Sequence, residues 1–181
     1  GYNRRHKLPR AFERGECEVE FFVDFGIYRD LQRNRISSTE RQRLNAQEVA
    51  VPREFYEPGM ESVLSDYLRL ATWTKDLNQR ASVSVDTDVQ GASEYITLLG
   101  NKMRFNVHAN LRQWTFFTEL RTIEGGHPAY RHAMQNAARQ IRTVYPFMKP
   151  LMAHVNGVKD YGLGRLKAEV RTQQKLGTIS E

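Results

Sequence analysis

Between Tyr28 and Leu44 the sequence YRDLQRNRISSTERQRL carries Arg29, Arg33, Arg35, Arg41 and Arg43 against only Asp30 and Glu40. A guanidinium offers a rigid fork of donors that matches two oxygens of one phosphate. The segment therefore fits a pocket for a phosphorylated ligand. A solvated helix face has the same composition, and composition alone weighs the two evenly. A second set, Arg112 and Arg121, stands at the two ends of an expected helix, about 13 Å apart by helix rise, and need not meet one ligand. There is no Walker loop and no G-x-G-x-x-G, so any phosphate would have to be held by arginine side chains.

Other chemistries fit less well. His6, His108, His127, His132 and His154 show no zinc-helix spacing, there is no C-x-x-C, and no metal site is expected. There is no G-x-S-x-G for a nucleophilic serine. Cys17 lies between Glu16 and Glu18, where negative charge disfavours a thiolate, so its role is read as structural.

The chain of 181 residues is 40% hydrophobic and 27% charged, an ordinary globular balance. It suits one domain with a tail. Residues 1–156 are expected to form the domain, truncated at its N-terminus, and residues 157–181 a polar tail. The formal net charge of +6 favours anionic partners. With a single cysteine no disulfide can close within the chain, which favours a reducing, cytoplasmic setting. No apolar run is long enough to span a bilayer, so no membrane partner is expected.

The elements that must position these arginines can be read in order. CEVEFFVDF alternates, with Cys17, Val19, Phe21 and Val23 on one face and Glu18, Glu20 and Asp24 on the other, which predicts a strand. Phe22 interrupts the polar face and is expected to cover a neighbour. After Gly26, Ile27, Tyr28 and Leu31 give a weak helical stripe that carries Arg29 and Arg33 on one face. Met60, Val63, Leu64, Tyr67, Leu68 and Leu70 or Ala71 predict an amphipathic helix. NQRASVSVDTDVQGAS reads as a polar connection, and a short helix is expected from Ser93 to near Gly100. KMRFNVHAN predicts a second strand. Asn110 should cap a helix carrying Leu111, Trp114, Phe117 and Leu120 inward. His127 and Pro128 should open a helix to about Val144. A short helix is expected between Pro146 and Pro150, and one more in the tail.

This order of pieces resembles the flavin-dependent thymidylate synthases. That family has a strand followed by a helix bearing R-Q-x-x-R-H-R-x-x-S-x-N-E-x-S-x-R-Y. Here Arg29 and Asp30 stand at R-Q, and RNRISS places Arg33, Asn34, Arg35 and Ser38 at R-H-R-x-x-S. Glu40, Arg43 and Leu44 take the E, R and Y after a two-residue deletion. RHKLPRAFERGECEVEFFV is similar to the family's G-H-x-x-P-x-E-H segment, through His6, Pro9 and Glu13. EFYEP resembles a segment just after the motif. FNVHANLRQWTFFTELR resembles a strand-to-helix passage in which V-N-A-R leads to L-R, matching Asn110, Arg112, Leu120 and Arg121. The collinear set spans most of residues 6 to 155.

The resemblance implies an α/β (α+β) fold, an antiparallel-rich sheet packed with helices, like the thymidylate synthase-complementing protein. It implies a homo-oligomer, or pairing with a second family domain, with sites built between subunits. It implies methylation of dUMP to dTMP with FAD, NADPH and methylenetetrahydrofolate. By resemblance, Arg33, Asn34, Arg35, Asn110 and Arg112 serve the flavin, and Arg29, Ser38, Glu40, Arg43 and Arg121 serve the nucleotide. Catalytic residues are not assigned, because the cofactor carries the chemistry.

The departures are as informative. The histidine of R-H-R is Asn34, and the glutamine of R-Q is Asp30. A nucleotide-binding arginine falls at or beside Glu94, and a flavin-contacting asparagine falls at Phe116. A carboxylate in place of a cation beside a phosphate turns attraction into repulsion. Three readings follow: a flavin-dependent thymidylate synthase, a catalytically degenerate copy that completes a partner's site or pairs structurally, and a basic nucleic-acid-binding module. The third is disfavoured, because aromatics are not interleaved with the arginines as stacking platforms would be.

Overall fold

The computed structural model describes residues 3, 6–158, 164–175 and 177. Its sheet begins with β1 (Glu16–Asp24), whose alternation is borne out. Val19 and Phe21 are buried, while Glu18 and Glu20 are exposed. β3 (Lys102–Asn110) repeats the pattern, burying Met103, Phe105, Val107 and Ala109. The strands β1 and β3 are antiparallel. Leu111 N donates to Gly15 O (2.8 Å) at one end, and Phe25 N donates to Asn101 O (2.8 Å) at the other. A third strand, β2 (Ser38–Arg41), completes the order β1-β3-β2. The expected antiparallel-rich sheet packed with helices is the fold found.

The chain divides into two compact units. One comprises Glu20–Arg33 and Thr39–Asn106, and the other comprises Gly1–Val19, Asn34–Ser38 and Val107–Glu181.

In the first unit, Asp24 caps α1 (Phe25–Leu31) by accepting from Ile27 N. Tyr28 meets Phe105 edge-on at 4.9 Å, and Phe21 stacks on Phe105 at 5.0 Å. Such pairs add about 0.5–1.5 kcal/mol beyond area burial. The helix α1 stops at Leu31. Arg33 therefore lies beyond it, and the expected shared helix face of Arg29 and Arg33 is corrected. Residues 34–37 offer too little apolar side chain to bury a continuing helical face.

The amphipathic helix is α2 (Glu61–Ser82), and it runs through the first residues of the expected polar connection. Its buried positions are Ala71, Thr74, Asn78 and Ala81. Val63, Leu68 and Leu70 are exposed in this chain, against the expected stripe. Asn78 explains the shift in part. Its amide accepts from Ala46 N and donates to Ser93 O, so a polar residue earns an interior position. The connection also contains α3 (Thr87–Ala92), capped by Asp86 through Asp88 N and Val89 N. The piece expected from Ser93 is a single 3-10 turn, Ser93–Tyr95, ending well before Gly100.

In the second unit, α4 (Leu111–Arg121) and α5 (Pro128–Val144) pack together. Asn110 caps α4 through Gln113 N (2.8 Å), and His127 caps α5 through Ala129 N, both as expected. Leu111, Trp114 and Phe117 are buried, with Trp114 Nε1 donating to Cys17 O at 2.8 Å. Leu120 is exposed instead. Thr118 and Thr122 take the inner face, their hydroxyls satisfied by carbonyls one turn back. A 3-10 turn at Pro146–Met148 supplies the short helix expected there. The expected tail helix is α6 (Gly164–Lys175). The last residues of the tail lie outside the described residues.

Candidate functional site

The arginines after β1 do not share one environment. Arg29 sits on α1, and Arg33 in the turn beyond it, both exposed. Among the described residues, no carboxylate pairs with Arg29, Arg33 or Arg35. Among the described residues, nothing neutralises their charges. Asp30, which stands at the glutamine of R-Q, is half-buried.

Arg41 and Arg43 are different. Arg41 Nη1 lies 3.3 Å from Glu94 Oε2, and Arg43 Nε lies 3.0 Å from Glu94 Oε1. Leu44 N also donates to Glu94 Oε2 (3.2 Å). One carboxylate thus occupies two guanidiniums and a backbone N–H. Burial pushes the Glu94 carboxyl up. The Leu44 N–H and the two arginines outweigh it and hold the group below the usual carboxylate range. Ser38 and Glu40, the other residues expected on the nucleotide, lie on β2 and are exposed.

Around Asn110 the second unit has its own polar set. Asn110 spends its side-chain oxygen on the α4 cap. Arg112 is locked inside the unit. Its Nε donates to Leu8 O at 2.7 Å, and its Nη1 meets Glu13 Oε1 at 2.6 Å. Hydrogen bonding from Arg10 is the largest influence that holds the Glu13 carboxyl low, with Arg112 adding to it. Asn34 accepts from Gln113 Nε2 at 2.6 Å, while its own Nδ2 is buried without a partner. Arg35 is exposed. Arg121 ends α4 half-buried, with its guanidinium 5.7 Å from the Tyr130 ring and its Nε buried and unpartnered. Phe116 is exposed on α4. Cys17 is half-buried, and burial, with Glu18, pushes its thiol up.

Two features escaped the sequence reading. The Glu94 clasp joins residues 51 and 53 positions apart. Its only signal in the sequence was a carboxylate where the resemblance asks for a cation. Gln113 had no signal, since an amide on a helix is ordinary. Phe22, expected to cover a neighbour, lies under the Arg104 guanidinium at 4.6 Å and near Lys102 Nζ at 5.3 Å. Among the described residues, no cluster of side chains could hold a metal ion, and no helix is long and apolar enough to cross a membrane.

No family model matches the chain. A UPF0159 protein of Chlamydia muridarum is 31% identical over 170 residues, covering 93% of this chain and 31% of the relative. A UPF0159 protein of Chlamydia pneumoniae is 30% identical over 172 residues, covering 94% and 31%. A third, from Thermoplasma acidophilum, is 29% identical over 178 residues, covering 98% and 34%. The chain thus spans about a third of the length of the curated relatives it matches. Among solved structures, the UMP/dUMP methylase PolB from Streptomyces cacaoi with 5-Br UMP superposes with a TM-score of 0.64 at 15% identity. The match covers 82% of this chain and 77% of that one. The same enzyme with 5-Br dUMP gives 0.63, also at 15% identity, covering 82% and 76%. This likeness establishes the fold.

Proposed function

We propose that this chain acts as a flavin-dependent thymidylate synthase-type protein, methylating dUMP to dTMP with FAD, NADPH and methylenetetrahydrofolate. The observation that carries the reading is the trio Arg29, Arg33 and Arg35, which no carboxylate among the described residues neutralises, on a fold shared with a UMP/dUMP methylase. Uncompensated guanidiniums cost stability by mutual repulsion, and a bound diphosphate offsets that cost. Arg33 and Arg35 take the FAD phosphates in this reading, with Asn34 beside them. Asn110 and Arg112 shape the flavin's surroundings. Arg29, Ser38, Glu40, Arg43 and Arg121 serve the nucleotide, and Arg121 has a spare buried Nε to offer. When bound, FAD supplies the hydride chemistry, and the protein supplies position and field.

One observation favours a second reading, a degenerate copy that completes a partner's site. Glu94 already occupies Arg43, which the first reading assigns to a phosphate. A pairing of this kind lowers the affinity of Arg43 for any second anion. The two readings separate in one assay. The chain is incubated with FAD, NADPH, methylenetetrahydrofolate and dUMP, and dTMP is measured. Formation of dTMP is expected from the first reading. No dTMP, from a chain that gains no flavin signal on adding FAD, supports the second.

A further inference from the structure

The face of α5 beside its buried stripe, together with the segment after it, bounds a cavity of about 690 Å³ that is open to solvent. It lies wholly within the unit that holds α4 and α5. Helical spacing puts Asn136, Arg139, Arg142 and Thr143 on one side of α5, next to the side that buries Ala138 and Ile141. Lys149 joins them from beyond the helix. No carboxylate lines the cavity among the described residues. Arg139, Arg142 and Lys149 therefore leave three positive charges facing one concavity with no internal counter-charge.

One of these cations is fixed in place. Arg142 Nη2 donates to the carbonyl of Met152, a fully buried residue, so its guanidinium is tied to the wall. Its Nε is buried without a partner. Arg139 Nη2 donates to Asn136 Oδ1. Lys149 is exposed and supplies a mobile point charge. Ala153 and Val155 add a small apolar surface. The volume lies in the range of small-molecule sites, roughly 300–1,000 Å³.

We propose that this cavity binds a small organic phosphate, with Arg139 and Arg142 gripping the phosphate oxygens and Lys149 closing over them. Two forks of donors, one of them held to the wall, and a flexible ammonium suit a compact, multiply charged anion. A nucleic-acid strand fits less well, since no aromatic side chain lines the cavity for bases to stack on. The site is separate from the arginines after β1, and it stands whether or not the flavin reading does.

The test uses the full chain and inorganic pyrophosphate in isothermal titration. The wild type is expected to bind pyrophosphate, and the double variant Arg139→Gln, Lys149→Gln to lose one such site per chain or to bind there at least tenfold more weakly. Both positions are exposed, and an unchanged circular dichroism spectrum confirms that the variant folds. Lys75→Gln, at an exposed position on α2 outside the cavity lining, is expected to keep wild-type pyrophosphate affinity. No binding by the wild type, or equal binding by the folded double variant, overturns the proposal. So does a single-stranded oligonucleotide that binds more tightly than pyrophosphate and is lost in the same variant, because the surface would then be a nucleic-acid track.

Discussion

Glu94, where the resemblance asks for a cation, clasps Arg41, Arg43 and the Leu44 N–H. Glu94→Gln should release both arginines and lower stability by about 1 kcal/mol, the scale of a partly exposed charge-assisted contact. Urea denaturation measures this. The pH dependence follows from the sign of the shift. The folded carboxyl titrates below its unfolded value, so its contribution is present above the ordinary carboxylate pKa of about 4.3. It is lost as pH falls through the lower folded value. The acid limb of the stability profile should therefore be shallower in Glu94→Gln than in the wild type. An identical limb in both would mean that the clasp does not hold the proton off. The same variant should bind dUMP more tightly if the clasp is what blocks Arg43. The charge reversal at Glu94 was legible in the sequence. Its partners were not, because they come together only through folding of positions more than fifty residues apart.

At the level of elements, periodicity read best where one face is buried and the other wet. β1, β3 and the caps of α4 and α5 follow directly from alternation and from Asn110 and His127. It read worst where polar residues go inward. Asn78 on α2 and Thr115, Thr118 and Thr122 on and after α4 are buried because backbone carbonyls and amides satisfy them. They displace Leu68 and Leu120, which the apolar pattern had placed inside. The end of α1 was missed for another reason. The resemblance places the arginine motif on a continuous helix, whereas residues 34–37 leave it for a turn before β2. α3 was missed because Asp86 reads equally as linker or cap. The Asn110 cap gives the element-scale prediction. Asn110→Ala should cost about 1 kcal/mol, while Asn110→Asp, which keeps a capping oxygen, should cost much less. Equal losses in thermal unfolding would show that the side chain acts by something other than capping α4.

For the molecule as a whole, a formal net charge of +6 is distributed unevenly. Arg112 is spent on Glu13, and Arg41 and Arg43 on Glu94, while Arg29, Arg33 and Arg35 have no internal carboxylate among the described residues. Of the cations that the resemblance assigns to the flavin, Arg33 and Arg35 lack a carboxylate partner among the described residues while Arg112 has Glu13; of those it assigns to the nucleotide, Arg29 lacks one while Arg43 has Glu94. Partnering does not follow the assigned roles, which is why the fold was readable and the binding site less so. A shared fold needs only pattern and packing, whereas a binding site needs particular charges left over after packing. Isothermal titration of FAD into the purified chain, repeated with Arg33→Ala, tests this most directly. The expected result is FAD uptake with a flavin absorbance band, weakened in Arg33→Ala by about 1–3 kcal/mol, the range for a charge-assisted hydrogen bond. A wild-type chain that takes up no FAD, or an Arg33→Ala variant with unchanged affinity, would contradict it.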